Sequence, residues 1–457
     1  MSRPFARLVA VAGIGCLALS ACAPGSNTAG APPENTQTGT VGRDPASLGD
    51  VTLTVWDQEV RGGQAAQITK LNDAFQKKYP NIKLQRVSRS FDDLNKTIKL
   101  ALSGDNPPDV FQTNNGRADM GTFVKGRLIL PLDRYAQAYG WDQRYPESVR
   151  QYSSYSPDGA TFGRGSLYGL PQVGEVVGVY VNKKHLQEAG LSTPKTWEEF
   201  EAGLATLKSK RPNEAPLVLG NLDKWPAVHV FGPVQAQHVA PDTIRRLGFG
   251  QGGGSWQTPE NTAAAQNLVD WVDKGYIDAK ANGLGYDAAW QSFGKGTGTY
   301  LMAGTWLAPD LSTAMKDDVT FILPPPSAAA GGKVVSTGGT GIPWAISAKS
   351  KNPDAAAAYI DFITNSEAMK VLAETGNLPV VETASQKAPD ALTQDVFTAF
   401  GTVVDENGLV PYLDYATPTM GDTLGAALQD LIAGRKNPAQ FLETVQKDYG
   451  VYTEKHG

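Results

Sequence analysis

Apolar positions along the chain switch between a spacing of two and a spacing of three to four, and the switches mark out alternating strands and helices. Val51-Thr52-Leu53-Thr54-Val55-Trp56 alternates and is β-branched, which predicts a strand. After Gly62-Gly63, residues Ile68, Leu71, Phe75 and Tyr79 recur at helical spacing until Pro80 stops them. Ile82 to Val87 predicts a second strand. Ser90-Phe91-Asp92-Asp93 has the order of a capping box, so a helix is expected through Leu102, ended by Gly104. Pro107-Pro108 leads into a short third strand, Asp109-Val110-Phe111-Gln112. This succession is the rhythm of an open parallel sheet.

A second run of the same rhythm follows. Val176 to Val181 predicts a strand, Lys183 to Ala189 a helix closed by Gly190, and Thr196-Trp197-Glu198-Glu199 the start of another helix. Leu217 to Leu219 reads as a strand, and Thr258-Pro259 opens a helix carrying Leu268, Val269 and Trp271. Strands are expected at Thr299 to Ala303, Val319 to Leu323 and Ile342 to Ile346. A helix is expected from Pro353 with Asn352 as its cap, and a mostly helical stretch from Pro389. Internal repeats are not visible. Two α/β lobes are expected.

Composition narrows the chemistry. The 457 residues suffice for two or three domains, and 41 Lys+Arg against 46 Asp+Glu argues against a nucleic-acid partner. Two cysteines and four histidines leave little for a disulfide framework or a metal centre, and no HExxH, GxSxG or GxxxxGK pattern occurs. No cofactor is expected.

The first residues read as an export signal. Arg3 and Arg7 precede an apolar run from Leu8 to Leu19, too short to span a bilayer comfortably. Leu19-Ser20-Ala21-Cys22 resembles the lipobox of bacterial lipoproteins. That resemblance implies removal of residues 1–21 and lipidation of Cys22, anchoring the chain on the outer face of the cell membrane. Residues 22–49 are rich in Pro, Gly, Thr, Ser, Ala and Asn, so a flexible tether reaching roughly 30 Å is expected there.

Several motifs, in order, resemble bacterial extracellular solute-binding proteins of the carbohydrate-binding, maltose-binding-like family. They are Trp56-Asp57-Gln58; the passage from Phe75 to Ile82; Gly104-Asp105-Asn106-Pro107-Pro108-Asp109-Val110; Gly169-Leu170-Pro171 through Tyr180-Val181-Asn182-Lys183; and Ala189-Gly190-Leu191 with Pro194 to Phe200. Met302-Ala303-Gly304-Thr305-Trp306 and Gly376-Asn377-Leu378-Pro379 complete the series. The resemblance implies an α/β, two-lobe periplasmic-binding-protein-like fold, each lobe an open sheet flanked by helices, joined by a multi-crossing hinge. Lobe 1 would take residues 50–173 and 337–379, and lobe 2 residues 174–333 and 380–457. It also implies a monomer that delivers a sugar or oligosaccharide to the permease subunits of an ABC importer, without catalysis.

A sugar presents apolar ring faces and a rim of hydroxyls, so a suitable site mixes aromatics with carboxylates and amides. By the resemblance, Trp306 stands at the family's sugar-stacking aromatic and Glu175 at its acidic position near the crossing; Tyr412, Asp414 and Asn377 match later binding segments. From the residues themselves, Asp57 and Gln58 follow the first strand and Thr113 and Asn114 the third, where open α/β sheets take ligands. Trp225, Trp256 and Trp344 are candidates for the cleft, with Trp225 and Trp256 expected in loops, whereas Trp197 and Trp271 are assigned to the core. Asp92 suits either the cleft or helix capping, and Gly338, Gly339 and Thr340 either a ligand-facing turn or a hinge turn. Val380-Val381 stands where the family commonly has an arginine, so a less charged cleft is expected, favouring neutral oligosaccharides over uronic or phosphorylated sugars. Two other readings remain: the same fold holding a peptide, polyamine or iron complex, and a secreted glycoside hydrolase drawing its carboxylates from Asp57, Asp92 and Glu175.

Overall fold

The computed structural model describes residues 39–328 and 331–456; the expected signal segment and Cys22 lie outside the described residues. The expected tether does not extend to residue 49. Pro45–Ser47 is a 3₁₀ turn capped by the Asp44 side chain. Gly42 N–H donates to Asp354 Oδ2 at 2.7 Å, and Asn81 Nδ2 donates to the carbonyls of Pro45 and Gly49. Val41 and Leu48 pack on the first core. A segment poor in apolar residues on average still docks when its few apolar side chains and backbone groups find partners.

The strands are, in chain order, β1 (Val51–Asp57), β2 (Ile82–Ser88), β3 (Val110–Gln112), β4 (Ser154–Tyr155), β5 (Ser166–Leu167), β6 (Gly174–Asn182), β7 (Leu217–Val218), β8 (Tyr300–Gly304), β9 (Val319–Ile322), β10 (Ser336–Thr340), β11 (Trp344–Ile346) and β12 (Leu409–Val410). The first sheet has the order β11-β3-β1-β2. β1 runs parallel to both neighbours, with Val51 opposite Ile82 and Val55 opposite Val110, as the first run predicts. The crossovers are the helices Gly62–Lys78 and Phe91–Ser103. The former buries Ile68, Leu71 and Phe75, and Phe75 meets Tyr359 edge-on at 5.3 Å. Ser90 Oγ accepts from Asp93 N–H, so the expected cap exists. Asn352 stands before the Pro353–Thr364 helix but its side chain makes no capping bond; Pro353 alone sets the entry.

The second sheet departs from the expected rhythm. Its order is β12-β10-β6-β8-β7, with β9 also on β6, and β6 is antiparallel to β8, β9 and β10. Only β7–β8 and β10–β12 are parallel. Side-chain period reports that a segment is extended, not which way it runs; direction follows from the connections. Residues 337–340, expected with the first lobe, belong to β10 in this second sheet, with Gly338 opposite Val176 and Gly339 opposite Glu175. A Cβ at Gly338 would collide with the Glu175 carbonyl, so glycine admits the pairing.

Three chain passages lie side by side between the sheets. Gly341 N–H donates to Val173 O at 2.9 Å, Gly174 N–H to Leu378 O at 3.0 Å, and Val380 N–H to Gln172 O at 3.3 Å. Separate apolar clusters fill the two lobes, one around Leu53, Phe75, Trp344 and Tyr359, the other around Phe200, Phe231, Trp256 and Trp271. Trp197 and Trp271 are buried and stacked at 5.5 Å, in the core as expected. Among the described residues, no helix is long and apolar enough to cross a membrane.

Candidate functional site

β1 ends at a turn whose construction separates two adjacent side chains. Alternation along the strand sends Asp57 inward, where Arg86 holds it through Nε–Oδ2 at 2.7 Å and Nη2–Oδ1 at 2.8 Å. The same guanidinium donates to Glu59 O. Gln112 clamps the turn from β3: its Oε1 accepts from Gln58 N–H at 2.9 Å and its Nε2 donates to Glu59 Oε1 at 2.6 Å. Burial pushes the Glu59 carboxyl up to about 7 and raises Asp57, against the pull of Arg86. This buttress presents Gln58, Arg61 and Gln64 to a cavity of about 440 Å³ between the lobes.

The first lobe contributes three short segments to the cavity wall. Besides Gln58, Arg61 and Gln64, the opening turns of the Phe91–Ser103 helix supply Phe91, Asp92, Asn95 and Lys96, whose spacing puts them on adjoining faces. Beyond β3 come Asn114, Gly116 and Asp119. The second lobe supplies Glu175 from β6 and Asp223, Lys224, Trp225, Val228 and His229 from the start of the Trp225–Gln235 helix. Trp306 follows β8, and Tyr412, Asp414, Tyr415, Gly421 and Asp422 come from the stretch after β12. Ile342, on a crossing passage, lies between the two sets.

Aromatic rings gather on the second wall. Trp225 lies 4.4 Å from Tyr286, 5.1 Å from His229 and 6.4 Å from Trp306, centroid to centroid. Trp306 Nε1 donates to Tyr286 Oη at 2.7 Å, which fixes the indole plane. Its ring lies over Gly304, where any Cβ would overlap it, so glycine is required for this close approach. Lys224, just before the helix, holds φ of 68°, a strained conformation for a residue with a side chain, and such strain concentrates at ligand clamps. Phe91 reaches across from the first lobe to meet Trp225 edge-on at 5.9 Å.

Charge in the cavity is uneven. Six carboxylates line it, on Asp92, Asp119, Glu175, Asp223, Asp414 and Asp422, against the cations Arg61, Lys96 and Lys224. The missing arginine near Val380 says little about the charge of the cleft, because Val380 and Val381 are buried in the first core. Burial pushes Glu175 up to about 7, partly offset by the hydrogen bond from Tyr412 Oη at 3.3 Å. Asp119 rises to about 7 through burial and the nearby charge of Asp414, and Asp414 rises to about 6 through burial. At one end Arg61 Nη2 meets Asp287 Oδ1 of the other lobe at 2.9 Å, and Gly62 N–H donates to Asp310 Oδ1 at 3.2 Å.

Of the residues singled out in the sequence, Gln58, Asp92, Asn114, Glu175, Trp225, Trp306, Tyr412 and Asp414 line the cavity. Trp225 does so from the first turn of a helix rather than a loop, because Pro226 sits where a helix tolerates proline. Eight others do not line it, Gly338 among them, which pairs with Val176 in the second sheet. Asp57 is held by Arg86, and Thr113 is buried with its N–H on Pro343 O. Trp256 is wholly buried in the second core, its backbone N–H on Gln446 Oε1, because the loop after Gly252 to Gly254 folds back onto the C-terminal helix Pro438–His456. Trp344 is wholly buried in the first core, edge-on to Tyr359. Gly339, at φ of 143°, admits the Tyr152 ring, and Thr340 Oγ1 accepts from Asn115 Nδ2 at 3.1 Å. Asn377 Nδ2 donates to Gly63 O at 3.0 Å, bracing the first turn of the Gly62–Lys78 helix. Sequence reading missed Arg61, Gln64, Asn95, Lys96, Asp119, Asp223, His229 and Tyr415. Arg61 and Gln64 had a usable signal, since they open the helix after the first strand.

The geometry is that of a ligand cleft between domains, and comparison with known proteins agrees. The sequence profile of a family described as bacterial extracellular solute-binding protein matches residues 61–370. A Pyrococcus horikoshii protein named as an uncharacterized ABC transporter extracellular-binding protein is 23% identical over 389 residues, covering 83% of this chain and 82% of its own. The multiple sugar-binding protein of Streptococcus mutans is 22% identical over 337 residues, or 72% and 75% of the two chains. Among solved structures, a chitin oligosaccharide binding protein superposes with a TM-score of 0.77 at 24% identity, over 89% of this chain and 99% of its own, which shows the shared two-lobe fold. With the profile matching more than half of its length, this chain belongs to the bacterial extracellular solute-binding proteins.

Proposed function

We propose that the chain captures a sugar or oligosaccharide between its lobes and passes it, unchanged, to the membrane permease of an ABC importer. One observation carries this: the indoles of Trp225 and Trp306 face a wall of amides and carboxylates across a cavity of about 440 Å³. Rings suit the apolar faces of a pyranose, and Gln58, Asn95, Asn114 and Asp92 suit its hydroxyls. The names of the relatives above support the same substrate class. The excess of carboxylates favours uncharged or amine-bearing sugars over acidic ones, since an anionic ligand would meet uncompensated charge. Among the three carboxylates available to a hydrolase reading, Asp57 is committed to Arg86 and does not line the cavity, which weakens that alternative.

Within this reading, Cys22 carries the lipid anchor, the body works as a monomer, and closure occurs at the Val173–Gly174, Gly341–Pro343 and Leu378–Val380 passages. The lobes then divide near those passages, with β10 assigned to the second lobe. A thermal-shift panel of malto-, xylo-, cello- and chito-oligosaccharides tests the function. A true ligand raises the melting temperature by mass action, RT ln(1 + [L]/Kd), and is recovered intact. No shift with any sugar rejects the substrate class; shortened products reject binding without turnover.

A further inference from the structure

His229 projects from the Trp225–Gln235 helix into the cavity on the same face as Trp225 and Val228. Its ring is boxed by aromatics: Tyr412 at 4.8 Å, Trp225 at 5.1 Å and Trp306 at 5.5 Å. No described residue hydrogen-bonds to it, and Nδ1 is buried without a protein partner. Burial alone, with no neighbouring charge contributing, pushes the imidazole down to about 3, so the ring is neutral at ordinary pH. A neutral imidazole offers one N–H donor and one bare nitrogen acceptor.

A merely packed ring would serve this aromatic box better as phenylalanine, which leaves nothing unsatisfied. Unpartnered indole nitrogens also occur at Trp197, Trp225, Trp256 and Trp344, so an unmade bond is not itself a signal. Trp197, Trp256 and Trp344 are sealed in cores; His229 lines the cavity, as its neighbour Trp225 does. It is also the polar group set between the two indoles on which a ring would stack. We propose that His229 is a specificity-determining residue that hydrogen-bonds a hydroxyl or carbonyl of the sugar ring lying against Trp225 and Trp306. This rests on the carbohydrate reading above. The ring discriminates between sugars that place such an oxygen beside the indoles and those that are deoxygenated or epimeric there, because the second class leaves the imidazole unsatisfied in a desolvated site.

The test uses the full chain and the tightest-binding sugar of the oligosaccharide panel, by calorimetric titration. His229→Phe is expected to weaken binding about tenfold, the loss of one neutral hydrogen bond, with an unchanged or higher melting temperature in the free protein. His229→Gln, which retains a donor and an acceptor, is expected to recover part of the loss. Single-deoxy analogues should reveal one position at which parent loses affinity and His229→Phe does not. Should the Phe variant fail to fold, ¹⁵N signals of the parent's imidazole decide: one ring nitrogen is expected to shift as sugar is added, with the ring remaining neutral in mildly acidic buffer. Binding of His229→Phe within twofold of the parent, or ring signals that ligand leaves unmoved, overturns the inference while the carbohydrate reading stands. A parent that binds no sugar overturns both.

Discussion

The two walls of the cleft are built from different chemistry on different supports. The first-lobe wall is mostly polar, with Gln58, Gln64, Asn95 and Asn114 set at strand ends and first helical turns, and its turn is locked from behind by Arg86, Asp57 and Gln112. The second-lobe wall is aromatic, with Trp225, Trp306, His229, Tyr412 and Tyr415 in mutual contact. Stacking on rings supplies area with little dependence on direction, whereas amides and carboxylates discriminate by geometry. On the proposed reading, stacking area comes mainly from the second lobe and the amides from the first, while His229 and four of the six carboxylates add directional groups to the aromatic side, so closure brings the two sets together.

The division predicts a ranked series of effects. Trp306→Ala should cost at least about 2 kcal/mol of binding, roughly thirtyfold in Kd, measured by titration with the tightest sugar. An unchanged Kd would place stacking elsewhere. On the first wall, Glu59→Gln separates support from contact, because Glu59 is buried behind the wall. Its folded pKa of about 7 exceeds its ordinary 4.5, so the folded state binds the extra proton between those values and the native residue loses stability as pH rises through them. The variant should match the parent near pH 4.5 and exceed it by roughly 1–3 kcal/mol above pH 7, read from denaturant midpoints. Equal pH profiles would show that Glu59 ionises freely.

Asn114→Ala should cost about 1 kcal/mol of binding, less than Trp306→Ala, and should change the ranking of sugars more than the mean affinity. The reverse order would invert the assignment of roles. The smallest effect belongs to the tie between the walls. Asp287 is more than half exposed, so Asp287→Ala should weaken binding by about 0.2–1 kcal/mol, with the difference fading in high salt.

The first wall was legible from position alone, the second largely from the family resemblance. Gln58, Asp92 and Asn114 follow from where strands end and helices begin, and open sheets bind ligands there. Legibility stopped at single-residue resolution: Asp57 and Gln58 are neighbours, and the sequence does not disclose that Arg86 claims the first. Trp225, before Pro226, and Trp256, after Gly252-Gly253-Gly254-Ser255, both read as loop residues in the sequence. One lines the cavity and the other is sealed in the core, because the Gly252–Gly254 loop folds onto the C-terminal helix. Residues 223–229 and 412–422 meet at the cleft although the 182 residues from 230 to 411 separate them in the chain.

Period, capping and proline placement determined the strands, the helices and the α/β class of this protein, since each depends on forces acting within a few residues. Motif order determined its family. Tertiary structure alone decided the antiparallel second sheet, the assignment of β10 to it, and which of the tryptophans face the ligand. Those outcomes depend on contacts between segments far apart in the chain, and local pattern holds no record of them.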